Sequence, residues 1–190
     1  MAQRIGIVGG TFDPIHIGHL ILAVRAREQR ALDCVYLIPN WQSPLKSMAP
    51  RASFDDRLTM AQRAVDGIDG LMVSDIEGRR GGVSYMIDTL RQLHDDHAEA
   101  ELHLIIGADA LRELPQWRES EEITRIATIA AVSRGGETVD TGDVDAVAVS
   151  MPRIDVSASD IRERVSAGKS IDFLTPAPVV AYIREQQLYG

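Results

Sequence analysis

The sequence contains a single cysteine in 190 residues, which leaves no internal disulfide framework and no Cys-rich zinc site, and so predicts a reducing compartment. No run of about 18 apolar residues occurs, so no membrane-spanning helix is expected. The first residues enter an apolar strand pattern, Arg4–Val8, without the charged segment, apolar stretch and cleavage site of an export signal. Basic residues are scarce relative to acidic ones, 20 against 28, and the net charge is −8. A general nucleic-acid binder, whose affinity comes from neutralised phosphates, is excluded on that ground. Together these absences predict a cytoplasmic protein acting away from membranes and nucleic acids.

The chain has 45% hydrophobic residues, enough for a core without covalent staples, and its length suits one domain spanning 1–190. Arg4–Val8, Cys34–Ile38, Leu71–Asp75, Glu101–Ile106, Ala127–Ser133 and Ala146–Met151 read as strands. Between them, Ile17, Leu20, Ile21 and Val24 fall at helical spacing, and Phe54, Leu58, Ala61 and Val65 mark a second stripe behind Ser53. Ser53 reads as an N-cap with Asp56 three residues on, and Ser84 as the cap of a third helix reaching Leu93. Ser159–Ala167 and Ala177–Gln187 close the chain as helices. Strands and helices that alternate, with nearly continuous apolar strands, predict an α/β fold with a parallel sheet covered on both faces. Cys34, at a strand start, reads as a small apolar packer. Pro39–Pro50 reads as a long loop, and Gly135–Asp145 as a surface loop.

The first strand runs into Val8-Gly9-Gly10-Thr11-Phe12-Asp13-Pro14-Ile15-His16-Ile17-Gly18-His19. Two glycines before a helix N-terminus make an anion site, and phosphate is its usual occupant. The pattern is neither the dinucleotide G-x-G-x-x-G nor a Walker A loop. His16 and His19 share one face of the first helical turn. They suit phosphate contact or simple packing; a metal pair lacks a third ligand, because His94, His97 and His103 lie in a distant acidic region. Near the other end, Ser157 and Ser159 open a helix and Arg162 follows on the face of Ser159. That arrangement fits either helix capping or a second phosphate-binding element. Gly107 and Asp109 follow a strand, where open parallel sheets bind ligands, although Asp109 also suits a cap. Arg134 follows another strand and suits a nucleotide contact or a plain turn. Trp117, in an irregular stretch, suits a core position or a site.

The ordered series Gly9–Pro14, His16-Ile17-Gly18-His19, Ile38-Pro39-Asn40, Ser43-Pro44-Leu45-Lys46, Gly82–Tyr85, Asp88-Thr89-Leu90, Gly107–Leu111, Trp117, Ser133-Arg134 and Val156–Arg162 resembles the nucleotidylyltransferase superfamily almost end to end. Its (H/T)-x-G-H element is present, and within the superfamily the sequence is similar to bacterial nicotinate-nucleotide adenylyltransferases. The resemblance implies a doubly wound, Rossmann-like parallel sheet with a C-terminal helical subregion. It implies an enzyme of NAD biosynthesis that moves AMP from ATP to nicotinate mononucleotide, releasing deamido-NAD and pyrophosphate. Its catalytic residues would be His16, His19 and Arg162. The ATP site would comprise Gly9, Gly10, Thr11, Phe12, Gly107, Asp109, Arg134, Ser157 and Ser159. The acceptor site would comprise Asn40, Lys46, Ser84, Tyr85 and Trp117, the last stacking on the pyridinium ring. Mg²⁺ would be carried by the ATP phosphates, with no protein metal site and with assembly into a homo-oligomer left open.

One departure stands out: Met86 lies where the family commonly has threonine. A backbone contact to the nicotinate carboxylate survives that exchange and a hydroxyl contact does not, so nicotinamide mononucleotide stays open as an acceptor. A nucleotide sensor that has lost catalysis is the alternative from another class. Both substrates are anionic, so the excess negative charge should lie away from the site. The acidic runs Asp95–Glu101, Glu119–Glu122 and Glu137–Asp145 are expected outside it.

Overall fold

The computed structural model describes residues 2–44, 48–135, 141–142 and 144–190. Six strands form one sheet: β1 (Arg4–Gly10), β2 (Cys34–Pro39), β3 (Leu71–Val73), β4 (Glu101–Gly107), β5 (Ala127–Arg134) and β6 (Ala146–Met151). Their order is β3-β2-β1-β4-β5-β6, and all neighbouring pairs are parallel. The chain therefore winds outward from β1 in one direction and from β4 in the other. The crevice between β1 and β4, at their carboxyl ends, is where such sheets bind ligands.

The strands are apolar on both sides because both faces are covered. Val35 and Leu37 point into one cluster, shared with Val8, Met60, Val179 and Ile183; Cys34 and Ile38 point into the other, with Ile87, Leu90 and Leu111. This is the period-two alternation of a strand buried on both sides. Burial pushes the Cys34 thiol above its ordinary range, with Asp33 adding to the effect, as suits a packed, protonated cysteine.

Helices α1 (Ile17–Arg30) and α2 (Phe54–Val65) follow the first two strands; α3 (Ile76–Arg80) and α4 (Met86–Asp96) follow the third. Then come α5 (Ala108–Glu113), a 3₁₀ turn (Leu114–Gln116), α6 (Ser120–Ile126), α7 (Ala158–Ser166) and α8 (Ala177–Glu185). Ser53 caps α2 as expected, accepting from the Asp56 N–H at 3.1 Å. The stripe expected to bury α1 is only half covered. Ala23 and Ala26 are its fully buried residues, and these small side chains let the helix lie close to its neighbours. Gln29 of α1 reaches edge strand β6, donating to the Ser150 carbonyl at 2.7 Å and accepting from the Ser150 N–H at 2.9 Å. It thereby satisfies the backbone that an open edge would offer to another chain.

Two expectations are corrected. The third strand stops at Val73, since the chain turns into the five-residue α3, too short to show a period. Tyr85, not Ser84, is the N-cap of α4, and the Ser84 hydroxyl instead accepts from the Trp41 and Gln42 N–H groups at 2.9 and 3.4 Å.

The C-terminal helices return to the first loop. Thr175 donates to the Ile15 carbonyl at 2.7 Å, and Tyr189 donates to a carboxylate oxygen of buried Asp13 at 2.7 Å. Burial and that carboxylate push the Tyr189 phenol above its ordinary range, keeping the donor protonated. Tyr189→Phe removes one charge-assisted hydrogen bond and is expected to lower stability by about 1.5–3 kcal/mol, read as a reduced urea midpoint with unchanged slope.

Candidate active site

The loop after β1 is built around a close approach. Phe12 is buried, with a left-handed φ of 49°, and its ring lies over Gly10. A Cβ at position 10 would meet that ring at 2.7 Å, so only glycine fits. Buried Asp13 accepts from the backbone N–H groups of Arg51 and Ala52 at 2.8 and 3.1 Å, besides Tyr189. Arg57, 1% exposed, donates to the carbonyls of Thr11 and Asn40 at 2.7 and 2.8 Å. Burial lowers the pKa of this guanidinium from its ordinary value, and Asp13 opposes the shift. The Asn40 N–H adds a bond to the Gly10 carbonyl at 2.9 Å, so the loops after β1 and β2 are locked together.

The loop delivers His16 to the N-cap of α1 and His19 to its first turn. Their rings stack with centroids 3.7 Å apart, and Phe12 meets the His19 ring edge-on at 4.9 Å. The His16 side chain and the His19 ring each accept a backbone N–H from the other residue, a reciprocal capping box. Because the His16 N–H donates to His19 Nδ1 at 3.2 Å, neutral His19 carries its proton on Nε2, as a donor. Both rings stand at the positive end of a 14-residue helix.

The serine–arginine element reaches the same loop. Arg162 donates from one nitrogen to the Asp13 carbonyl at 2.6 Å and from another to the Ser159 hydroxyl at 3.1 Å. Ser157 is the N-cap of α7 and accepts from the Asp160 N–H at 3.1 Å. Capping and convergence thus hold together: Ser157 starts the helix, Ser159 aims the guanidinium, and Arg162 touches the first loop 149 residues away in sequence.

Beside this constellation lies a cavity of about 530 Å³, within the range of small-molecule sites. Gly9 and Gly10 form one side, Asn40, Ser84 and Tyr85 others, and Trp117 faces it from beyond the 3₁₀ turn. The Cε of Met86 lies over Gly9, where a Cβ would come within 2.7 Å. Three buried polar atoms around the cavity have no partner among the described residues: Asn40 Oδ1, Glu77 Oε2 and Trp117 Nε1. These are two acceptors and an N–H donor left for a polar ligand or water.

Gly107 is the N-cap of α5 at the carboxyl end of β4. Asp109 does not cap that helix; its exposed carboxylate pairs with Arg112. Arg134 ends β5, but its side chain, like all of Lys46, lies outside the described residues.

Sequence reasoning assigned no role to four residues that build this region. Asp13 and Arg57 hold the loops, and a buried acid and a buried arginine leave no pattern in a sequence. Glu77, 3% exposed, accepts from the Thr89 hydroxyl at 2.7 Å in the cavity wall. Burial raises its carboxyl above the usual range, opposed by Ser84 and Thr89 hydroxyls and by Arg80. Arg118 borders the cavity too, and its place next to Trp117 was the available signal. The acidic run from Glu119 also abuts this rim rather than lying apart from it. Glu119 is there neutralised by Arg91 at 2.5 Å and Arg118 at 3.4 Å.

Residues 7–164 match the family model described as cytidylyltransferase-like. A probable nicotinate-nucleotide adenylyltransferase of Roseiflexus is 43% identical, with 97% of each chain covered. Its counterpart from Rhodopirellula baltica is 39% identical, covering 97% of this chain and 92% of the relative. In fold, the chain resembles the nicotinic acid mononucleotide adenylyltransferase of Plasmodium falciparum in complex with NaAD, at a TM-score of 0.80 and 18% identity, over 98% of this chain and 97% of that one. With its own site geometry set beside these full-length relatives, the chain belongs to the cytidylyltransferase-like family and, within it, to the nicotinate-nucleotide adenylyltransferases.

Proposed function

We infer that this chain is a nicotinate-nucleotide adenylyltransferase: it transfers AMP from ATP to the 5′-phosphate of nicotinate mononucleotide, giving deamido-NAD and pyrophosphate in NAD biosynthesis. The observation that carries this is identity of 39–43% along 97% of the chain to proteins named for the activity. The site supports it with a phosphate-type turn next to a cavity sized for a mononucleotide. We further assign the chain one nucleotidylyltransferase domain, spanning 1–190, and a cytoplasmic location.

The reaction needs little acid–base help. An oxygen of the acceptor phosphate, ionised near neutral pH, forms a bond to the α-phosphorus. The bond from that phosphorus to the bridging oxygen breaks, and the electron pair leaves with pyrophosphate. Catalysis then rests on alignment and on stabilising charge around phosphorus. In our reading the N-terminus of α1, His16 and the Nε2–H of His19 face the ATP phosphates, with Gly9, Gly10, Thr11 and Phe12 shaping that pocket. Arg162, held by Asp13 and Ser159, favours the departing pyrophosphate, and Ser157 joins it. Gly107, Asp109 and Arg134 meet the nucleoside side of ATP.

The acceptor lies in the cavity, its ring against Trp117, its carboxylate toward Ser84–Tyr85, and its phosphate toward Asn40 and Lys46. Mg²⁺ carried by the triphosphate would add charge neutralisation there. Phosphate oxygens and water would supply most of its ligands, and Asp109, now paired with Arg112, is the acid at the end of β4 that could meet a coordinated water.

His19→Ala is expected to lower kcat by at least about 100-fold with an unchanged melting curve, since it removes a donor acting on developing charge. Trp117→Ala is expected to raise KM for the mononucleotide about tenfold or more while leaving KM for ATP within about twofold. Incubation with ATP and a panel of mononucleotides, read by product mass, tests the activity itself. Deamido-NAD is the expected product; preference for the amide acceptor overturns the specificity, and no product with any acceptor overturns the activity.

A further inference from the structure

We propose that Arg118 is a specificity-determining residue of the acceptor cavity, binding the carboxylate that distinguishes nicotinate from nicotinamide mononucleotide; this rests on the functional reading above. Among the described residues that line the cavity, Arg118 is the one cation, and the acceptor brings a carboxylate that must leave water to enter. Its guanidinium carbon lies 4.8 Å from the centre of the Tyr85 ring, a cation–π contact that holds the group beside the start of α4. Asn40 and Gly10 lie toward the phosphate-binding loop, so the two ends of the cavity differ in what they can read.

The ion pairs of Arg118 leave it available. Asp88 is 3.8 Å away, beyond hydrogen-bonding distance, and Glu119 is at 3.4 Å. The short bond to Glu119 belongs to Arg91, at 2.5 Å, so the charge of Glu119 is already largely answered from α4. About half the Arg118 side chain remains exposed. A guanidinium with five N–H donors and two long contacts retains donors for an incoming carboxylate.

Met86 adds the chemical reason. Its thioether donates no hydrogen bond, so the side chain at the first position of α4 gives the carboxylate nothing beyond its backbone N–H. Recognition at this end then comes from the helix N-terminus and from the neighbouring cation. Glu77, the acid in the same wall, is engaged by the Thr89 hydroxyl at 2.7 Å, to which Arg80 donates in turn at 2.9 Å. An amide lacks the charge that Arg118 answers, so the residue should separate the two acceptors.

The test compares wild type, Arg118→Gln and Arg118→Lys with both mononucleotides at saturating ATP, each used as substrate or, without turnover, as competitive inhibitor. Arg118→Gln is expected to raise KM for the acid about 5–20-fold with kcat within about twofold, and to leave the amide constants and the melting curve unchanged. Arg118→Lys should recover part of the loss. Equal losses for acid and amide, or no loss for either, overturn the proposal. Calorimetric titration of nicotinate mononucleotide separates this assignment from the activity. Arg118-dependent binding without turnover removes the activity and keeps the assignment, and no binding by wild type removes both.

Discussion

Asp13 receives hydrogen bonds from the backbone of Arg51 and Ala52 and from the Tyr189 hydroxyl, while its own carbonyl accepts from Arg162. Four separated stretches of chain therefore meet at one residue, 5% exposed, in the loop that carries the glycines and histidines. A carboxylate taken out of water costs several kcal/mol unless its lone pairs are answered. Here they are answered only when the Arg51–Ala52 segment and the C-terminal residues have docked, while α7 binds the backbone carbonyl of the same residue. Arg57 does the same for the other side of the loop, binding the Thr11 and Asn40 carbonyls. The shape of the loop after β1 is thus set by tertiary closure together with the glycine that Phe12 requires at position 10.

The sheet order explains why an acidic protein can bind two anions. β4 begins at Glu101 and ends at Gly107, so the acidic run Asp95–Glu101 lies at the amino edge of the sheet, opposite the crevice. The carboxyl edge instead gathers the N-termini of α1, α4 and α5, each entered directly or by a short loop from a strand or turn. Helix dipoles point the same way there, as parallel topology dictates. The acids that do approach the rim are held by Arg91, Arg118 and, through Thr89, Arg80. Net charge describes the whole molecule; the site is governed by which edge each charge occupies.

Local pattern made most of this legible, within limits that have physical causes. Strand runs such as Leu104–Ile106 are apolar because both faces are buried, and so the strands were readable in number and position. α3 was not, since five residues carry no period, and Ser84 was misread because an N-cap and a loop latch use the same hydroxyl. The stripe on α1 pointed to the larger side chains, whereas close packing chose Ala23 and Ala26. Glycines and paired histidines marked the loop after β1 as a candidate site because their chemistry is local. Asp13, Arg57 and Glu77 did not, since their hydrogen-bond partners lie from 12 to 176 residues away.

The same constraint bears on how such a site accelerates a reaction. Donors that must swing into place lose part of their binding energy to ordering, whereas donors fixed by folding do not. Arg162 has two of its nitrogens committed to Asp13 and Ser159, which spends donor capacity but holds the plane of the group. His19 has its Nδ1 committed to the His16 N–H, which leaves the Nε2–H tautomer when the ring is neutral. In each case one polar atom is used up inside the protein so that the remaining ones have a defined direction. Arg118 differs in kind: its contacts are long, its side chain half exposed, and its cation–π contact with Tyr85 consumes no N–H donor. In the proposed assignment the phosphate end is therefore stiff and the ring end adaptable, which matches the chemistry. Phosphate geometry is common to every acceptor, and discrimination between acceptors is required only at the ring.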